Sequence, residues 1–225
     1  MDTGDGGVRR LVAESWRRSA SRGLDPERLL APLALDASAL REARDAHPLR
    51  PVLPAVRRLL LEEPLGVPVL VALGDEHGTL LWVEGDRSLR RAAEDVCFVE
   101  GARWSEDAAG TNAPGTALHL DRPVRVLAQE HYAAAVSRWS CSAAPLHDPA
   151  TGRLLGVLDV TGGAALGERR ALDLVRAVAS VVEAELRVRA LRPRSGPRGA
   201  VPWGVGAGPV RVEVLGRPGA RLHPA

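Results

Sequence analysis

With 225 residues and a formal net charge of +2, the chain can hold one sizeable domain plus flanks, and it has no basic excess that would demand nucleic acid along its whole length. It contains no Lys, which excludes a P-loop and a Schiff-base enzyme, and it shows no kinase motif set, G-x-S-x-G elbow or zinc-ligand spacing. Two cysteines, Cys97 and Cys141, make no disulfide framework, and the N-terminus lacks a signal peptide's basic and apolar regions. No apolar run approaches the roughly 20 residues of a membrane span. These features together read as a soluble, cytoplasmic protein with reduced thiols.

Residues 8–22 predict a helix with Val8, Leu11, Val12, Ser15, Trp16 and Ser19 on one face, ended by Gly23 and Pro26. Residues 24–48 read as short helical turns broken by Pro26, Pro32 and Pro48. A second amphipathic helix is expected over 49–62, with Leu49, Val52, Leu53, Val56 and Leu60 inward and Pro51 and Pro54 in its first turn. The period then changes to two. Val67–Leu73 and Thr79–Val83 predict a hairpin around Gly74-Asp75-Glu76-His77-Gly78. Residues 87–94 look helical, and Val124–Leu127 is a short strand. Trp139–Leu146 and Leu154–Val160 form another hairpin around a turn rich in Asp, Pro and Gly. Glu168–Leu191 is the clearest helix, with a stripe of Leu172, Val175, Ala179, Val182 and Leu186 and pairs Glu183 to Arg187 and Glu185 to Arg189. That stripe can pack on the chain's own sheet or on a second copy. Beyond Ala190 the composition turns rich in Pro, Gly and Arg, as in a linker.

Rare residue types concentrate between Cys97 and Tyr132. The single Phe, Asn, Gln and Tyr of the chain are Phe98, Asn112, Gln129 and Tyr132. This segment has little regular structure and lies between sheet-forming elements, where it can roof a pocket. Asn112 either caps a helical turn or contacts a ligand. Trp104 and Trp139 are core fillers or pocket walls. His131 is a hydrogen-bonded structural residue or a ligand to a small molecule or iron cofactor. Cys141 alternates with Ser140 and Ser142, so one parity faces inward; it is a buried inert thiol or a redox group. Glu106 and Glu130 precede helical turns, where a carboxylate meets the positive end of the helix dipole.

The segments F-V-E-G-A-R-W-S-E-D-A-A-G-T-N-A-P-G-T-A-L (Phe98–Leu118), Q-E-H-Y (Gln129–Tyr132) and W-S-C-S-A-A-P-L-H-D-P-A-T-G-R-L-L-G-V-L-D-V-T-G resemble the GAF domain of bacterial transcription activators for acetoin and glycerol metabolism. The upstream S-W-R-R-S-A-S-R-G-L-D-P (Ser15–Pro26) is similar to the way those regulators begin. The resemblance spans roughly residues 10–190. It implies an α+β fold, an antiparallel GAF-like sheet of about six strands flanked by helices, with an N-terminal helical extension. It also implies a non-enzymatic sensor that binds a small molecule or docks a partner protein and signals to an output domain. The ligand varies among GAF domains, so neither it nor a cofactor is named.

The expected organisation is a helical extension at 1–46, a GAF sensory domain at 47–190, and a linker with the start of a missing output region at 191–225. The expected ligand-binding residues are Trp104, Asn112, His131, Trp139 and Cys141, with no catalytic or metal residues. The expected partners are an unidentified small molecule or protein and a second copy of the chain, with no membrane and no specific DNA binding by this chain alone. Two rival readings are a thiol enzyme related to free methionine sulfoxide reductases, through Cys97 and Cys141, and a pure dimerisation or interaction module.

Overall fold

Runs of Val and Leu spaced by turn residues build the centre of the molecule, described here from a computed structural model over residues 8–62, 66–167 and 171–191. Helix α1 (Arg10–Ser21) leads, and α2 (Ala37–Ala46) follows. The expected short turns of 24–48 thus include one ten-residue helix: no Pro falls between Leu33 and His47, and the Asp36 side chain caps it by accepting from the amides of Ser38 and Ala39. The expected helix at 49–62 is a 3₁₀ turn, a short α3 (Leu53–Arg57) and a π turn in succession. All five expected inward residues are buried.

Strand β1 (Val69–Asp75) turns at 75–79 into β2 (Leu80–Gly85), with Asp75 Oδ1 accepting from the amides of His77 and Thr79. Then come α4 (Arg87–Glu94), α5 (Glu106–Ala109), α6 (Ala113–Leu120), β3 (Val124–Leu127), β4 (Ser140–His147), β5 (Leu154–Gly162), α7 (Ala164–Gly167) and α8 (Ala171–Leu191). The order across the sheet is β2-β1-β5-β4-β3, antiparallel throughout. The described residues hold five strands rather than about six. The long segment before β3 runs as turns and short helices over one face and does not add to the edge.

Both faces of the sheet are covered. Leu70, Ala72, Val157, Cys141, Ala143, Val124 and Val126 pack under the segment that runs from α4 to β4. Val71, Leu73, Leu146, Leu158 and Val160 pack against α3 and α8 on the other side. Cys141 therefore does not mark the one inward parity of its strand: Ser140 and Ser142 are buried as well. The N-terminal segment is bonded into the same layer. Pro32 accepts from the Arg103 amide, Gly101 from the Ala34 amide, and Pro26 from the Ala134 amide, at 2.8–2.9 Å.

Helix α8 takes the first of the two packings expected of its stripe. Val175, Ala179 and Val182 lie in the core against the sheet, so they cannot form a seam with another chain. Arg189 pairs with Glu185 as expected, but Glu183 instead accepts from the His147 amide at 2.9 Å and ties α8 to the end of β4. The Pro, Gly and Arg-rich tail beyond Leu191, and the Glu168–Arg170 start of the expected last helix, lie outside the described residues.

Candidate functional site

The segment of rare residues closes over the sheet around one buried node. Glu106, in the first turn of α5, is 3% exposed. It accepts from Arg18 Nε at 2.5 Å and Nη2 at 2.9 Å, from Ser15 Oγ at 2.6 Å and from Thr116 Oγ1 at 3.1 Å. Burial alone would raise the carboxyl pKa, but the bonds from Arg18 and Ser15 and the charge of Arg18 outweigh it and hold the group below its usual range. The node joins α1, α5 and α6. Glu130 does a similar job at the other edge, accepting from Arg9 Nε at 2.6 Å and from the Leu127 amide at 2.8 Å. Sequence placed both acids at helical turns; their partners in and just before α1, about a hundred residues away, carry no local signal.

The path from α5 into α6 depends on two glycines. Gly110 has φ +67, a conformation that L side chains rarely adopt, and a Cβ there would meet Tyr132 at 2.8 Å. A Cβ on Gly115 would stand 2.5 Å from the Trp104 carbonyl and the Glu106 amide, so α6 can lie this close only without a side chain. Asn112 caps α6: its Oδ1 accepts from the Gly115 amide at 2.7 Å, and its Nδ2 donates to the Gly110 carbonyl at 2.8 Å.

Beneath this roof lies a cavity. Trp104, Asn112, His131, Trp139 and Cys141 all line it. The structure thus brings together every residue that sequence singled out for the site. The rest of the wall is Ala93, Val96, Phe98, Pro114, Val136 and Thr161. Phe98 and Trp104 meet edge to face at 5.1 Å, and the Trp104 indole donates to the Cys97 carbonyl. The space is narrow, with a cavity volume of about 20 Å³. Among the described residues no group of three or more His, Cys, Asp or Glu is placed to hold a metal ion.

The lining is uncharged. Burial lowers the His131 pKa to about 4, against opposing effects of the Ala128 carbonyl and Glu130. His131 Nδ1 lies 3.0 Å from the Ala128 carbonyl, so the neutral ring donates from Nδ1. Burial and the neighbouring Asp159 push the Cys141 thiol well above its usual value, although Thr161 opposes them. Cys141 is therefore a protonated thiol at neutral pH.

Sequence reasoning missed Thr161 and Asp159, which share the cavity face of β5. Asp159 is fully buried, and burial pushes its pKa up to about 7 against a lowering bond from Thr161. The signal was present: L-G-V-L-D-V-T-G places one acid inside an apolar strand, with a hydroxyl two residues on and hence on the same face.

An antiparallel sheet roofed on one face by a cavity-forming segment and backed on the other by a long helix is the fold that the resemblance to GAF domains implies. In the solved structure of the E. coli DhaR(N)-DhaL complex, a chain superposes with a TM-score of 0.75 over 80% of this chain and 62% of that one; at 22% identity the likeness is one of fold. Residues 4–184 match the family model described as MimR, N-terminal domain, and the chain belongs to that family. It is 47% identical over 189 residues to an uncharacterized 47.3 kDa protein in the thcA 5' region of Rhodococcus erythropolis, covering 84% of this chain and 43% of that protein. It is 34% identical to the acetoin dehydrogenase operon transcriptional activator AcoR of Bacillus subtilis, over 81% of this chain and 30% of that one. It is 31% identical to the propane 2-monooxygenase operon transcriptional activator MimR of Mycolicibacterium smegmatis, over 78% and 29%. The chain thus spans less than half the length of these curated relatives.

Two of the buried titratable groups, Asp159 and His131, oppose each other in their effect on stability. Asp159 keeps a proton in the fold that the unfolded chain loses near pH 4, so its contribution falls as pH rises from about 4 to about 7. His131 rejects a proton that the unfolded chain binds near pH 6.5, so its contribution is present above that pH and lost as pH falls towards about 4. Between pH 4 and 6.5 the two slopes cancel in large part. Asp159→Asn removes one of them. Urea unfolding should then show a steeper rise of stability with pH than in the wild type, by on the order of 3 kcal/mol across the window. Parallel pH profiles for the two proteins would contradict these assignments.

Proposed function

We infer that this chain is the sensory domain of a transcriptional regulator. The cavity under the 97–139 segment takes a small molecule, and the bound state is passed to an output region. The observation that carries this reading is the convergence of Trp104, Asn112, His131, Trp139 and Cys141 on one apolar cavity with few polar groups. The family relatives named as transcriptional activators support the regulatory half of it. Asn112 serves the site indirectly, since both ends of its amide are engaged in shaping the α5–α6 turn.

The thiol-enzyme reading is disfavoured on physical grounds. Cys141 is buried and its thiol pKa is raised, the reverse of what a nucleophilic or sulfoxide-reducing cysteine needs. Specific DNA recognition is not assigned to this chain, and a cytoplasmic location accords with the regulatory reading. No helix among the described residues is long and apolar enough to cross a membrane.

A homodimer is part of the proposal, but through a different face of α8. Leu174, Ala177, Val181, Ala184, Val188 and Leu191 recur at spacings of three and four. Val181 is 46% exposed, Val188 53% and Leu191 78%. This is the heptad pattern of a helix seam. Asp173 and Arg187 flank the stripe at the same heptad position, so an antiparallel copy sets one against the other. The second copy of the chain is the partner this stripe fits.

Two measurements test the proposal. A metabolite library screened by thermal shift should contain at least one stabilising compound. Its effect should vanish in Val136→Phe, which fills the cavity. A compound that stabilises Val136→Phe equally, or a library without effect, counts against the sensory reading. In sedimentation, the double variant Val181→Glu/Val188→Glu should be a folded monomer where the wild type is a dimer, whereas Val182→Glu, with its charge in the core, should unfold. A double variant that keeps the dimer mass, or a monomeric wild type, refutes the seam.

A further inference from the structure

Among the described residues, two buried polar atoms in or beside the cavity wall have no hydrogen-bond partner: Trp139 Nε1 and Asp159 Oδ1. Folded proteins leave few such atoms, because each has lost its water without replacement. Trp139 is part of the cavity wall, and its indole nitrogen can only donate.

Asp159 lies beside the cavity floor, in register with Ala72 of β1 and Ala143 of β4. Its Oδ2 is 2.6 Å from Thr161 Oγ1, which is also 3.1 Å from Cys141 Sγ. One hydroxyl proton cannot serve both. With Asp159 ionised, Thr161 donates to the carboxylate and the Cys141 thiol donates to Thr161. With Asp159 protonated, the carboxyl donates to Thr161, Thr161 donates to the sulfur, and the thiol proton is left for the cavity. Among the described residues no cationic side chain hydrogen-bonds to Asp159, so an ionised carboxylate would be a buried charge without a cationic partner there. The protonated arrangement is the one that burial favours.

We propose that Asp159, from outside the cavity, determines its specificity: its proton directs the Asp159–Thr161–Cys141 chain so that the floor offers a thiol donor beside the Trp139 indole. This rests on the reading that the cavity takes a small molecule, and it states the chemistry of that molecule. The ligand is small and uncharged, with an apolar body and an acceptor oxygen such as a carbonyl. An ammonium finds no anion in the lining and a carboxylate finds no cation, so either would bring in a charge stripped of water and left unpaired.

Four cyclopentane-sized probes test the proposal on the full chain at pH 6: cyclopentanone, methylenecyclopentane, cyclopentylammonium and cyclopentanecarboxylate. The readout is the indole N–H resonance of Trp139, assigned with Trp139→Phe. Cyclopentanone should bind about tenfold tighter than methylenecyclopentane, which lacks the acceptor, and should shift this proton downfield. Neither charged probe should bind. At pH 8.5 the cyclopentanone preference should fall about threefold or more in the wild type as Asp159 ionises. In Asp159→Asn it should persist, because the amide still donates to Thr161. Three other buried titratable groups around this face do not change form in that interval. Cys141 on β4 stays protonated, His131 stays neutral and Glu106 on α5 stays ionised, while His119 on α6 is exposed. Equal binding of the ketone and the alkene, binding of a charged probe, or a preference unchanged at pH 8.5 overturns the donor-floor proposal while leaving the pocket standing. If no probe perturbs any cavity resonance, the pocket reading itself falls.

Discussion

A buried carboxylate with an N-terminal partner is the constraint on which the rest of the domain depends. Glu106 has lost its water, and the Arg18 guanidinium, the Arg22 guanidinium at 3.9 Å and the hydroxyls of Ser15 and Thr116 make that loss tolerable. Its burial therefore requires α1 to dock. Docking in turn fixes α5 and α6 over the sheet, and with them the Trp104 and Asn112 walls of the cavity. The N-terminal helix is in this sense a structural part of the site, although it contributes no lining residue. Leaving one partner of such a pair alone in the interior is far costlier than the pair itself.

The covered sheet explains why the site is where it is. One face is filled by aliphatic side chains against α3 and α8. The other face has Ala72, Ala143, Cys141 and Thr161 towards its middle strands, smaller residues that leave space below the two tryptophans. Large side chains in the roof and small ones in the floor make a void. Helix α8 reads the opposite face of the same strands, and it also presents its exposed stripe outward. A change in the sheet therefore has a direct route to a surface that another chain can cover.

Much of the fold was legible because its signals are local. The limits of β3 and α4 matched the expected ranges, and β1, β2, β4 and β5 shifted by a residue or two, since alternation and turn chemistry define strands within a few neighbours. Part of the cavity wall was legible for a different reason: Asn112 and Phe98 are singular in a chain poor in such residues. What sequence did not disclose was pairing at a distance. Arg18 with Glu106, Arg9 with Glu130 and Glu183 with His147 depend on the tertiary path alone. Sequence left the packing of the α8 stripe open because two apolar faces on one helix share the same three-four spacing, and only burial separates Val182, which lies in the core, from Val181, which is exposed. Asp159 escaped notice because a lone acid in a strand is ordinarily read as a solvent-facing residue.

The central claim is that the space between Trp104 and Trp139 is an apolar site that can open to a guest. Diffraction from crystals held under xenon pressure tests it directly, because xenon enters apolar cavities without needing a hydrogen bond. The account predicts a xenon peak enclosed by Phe98, Trp104, Val136 and Trp139. Xenon bound elsewhere in the same crystals, with these four side chains closed on one another and no peak between them, would contradict it.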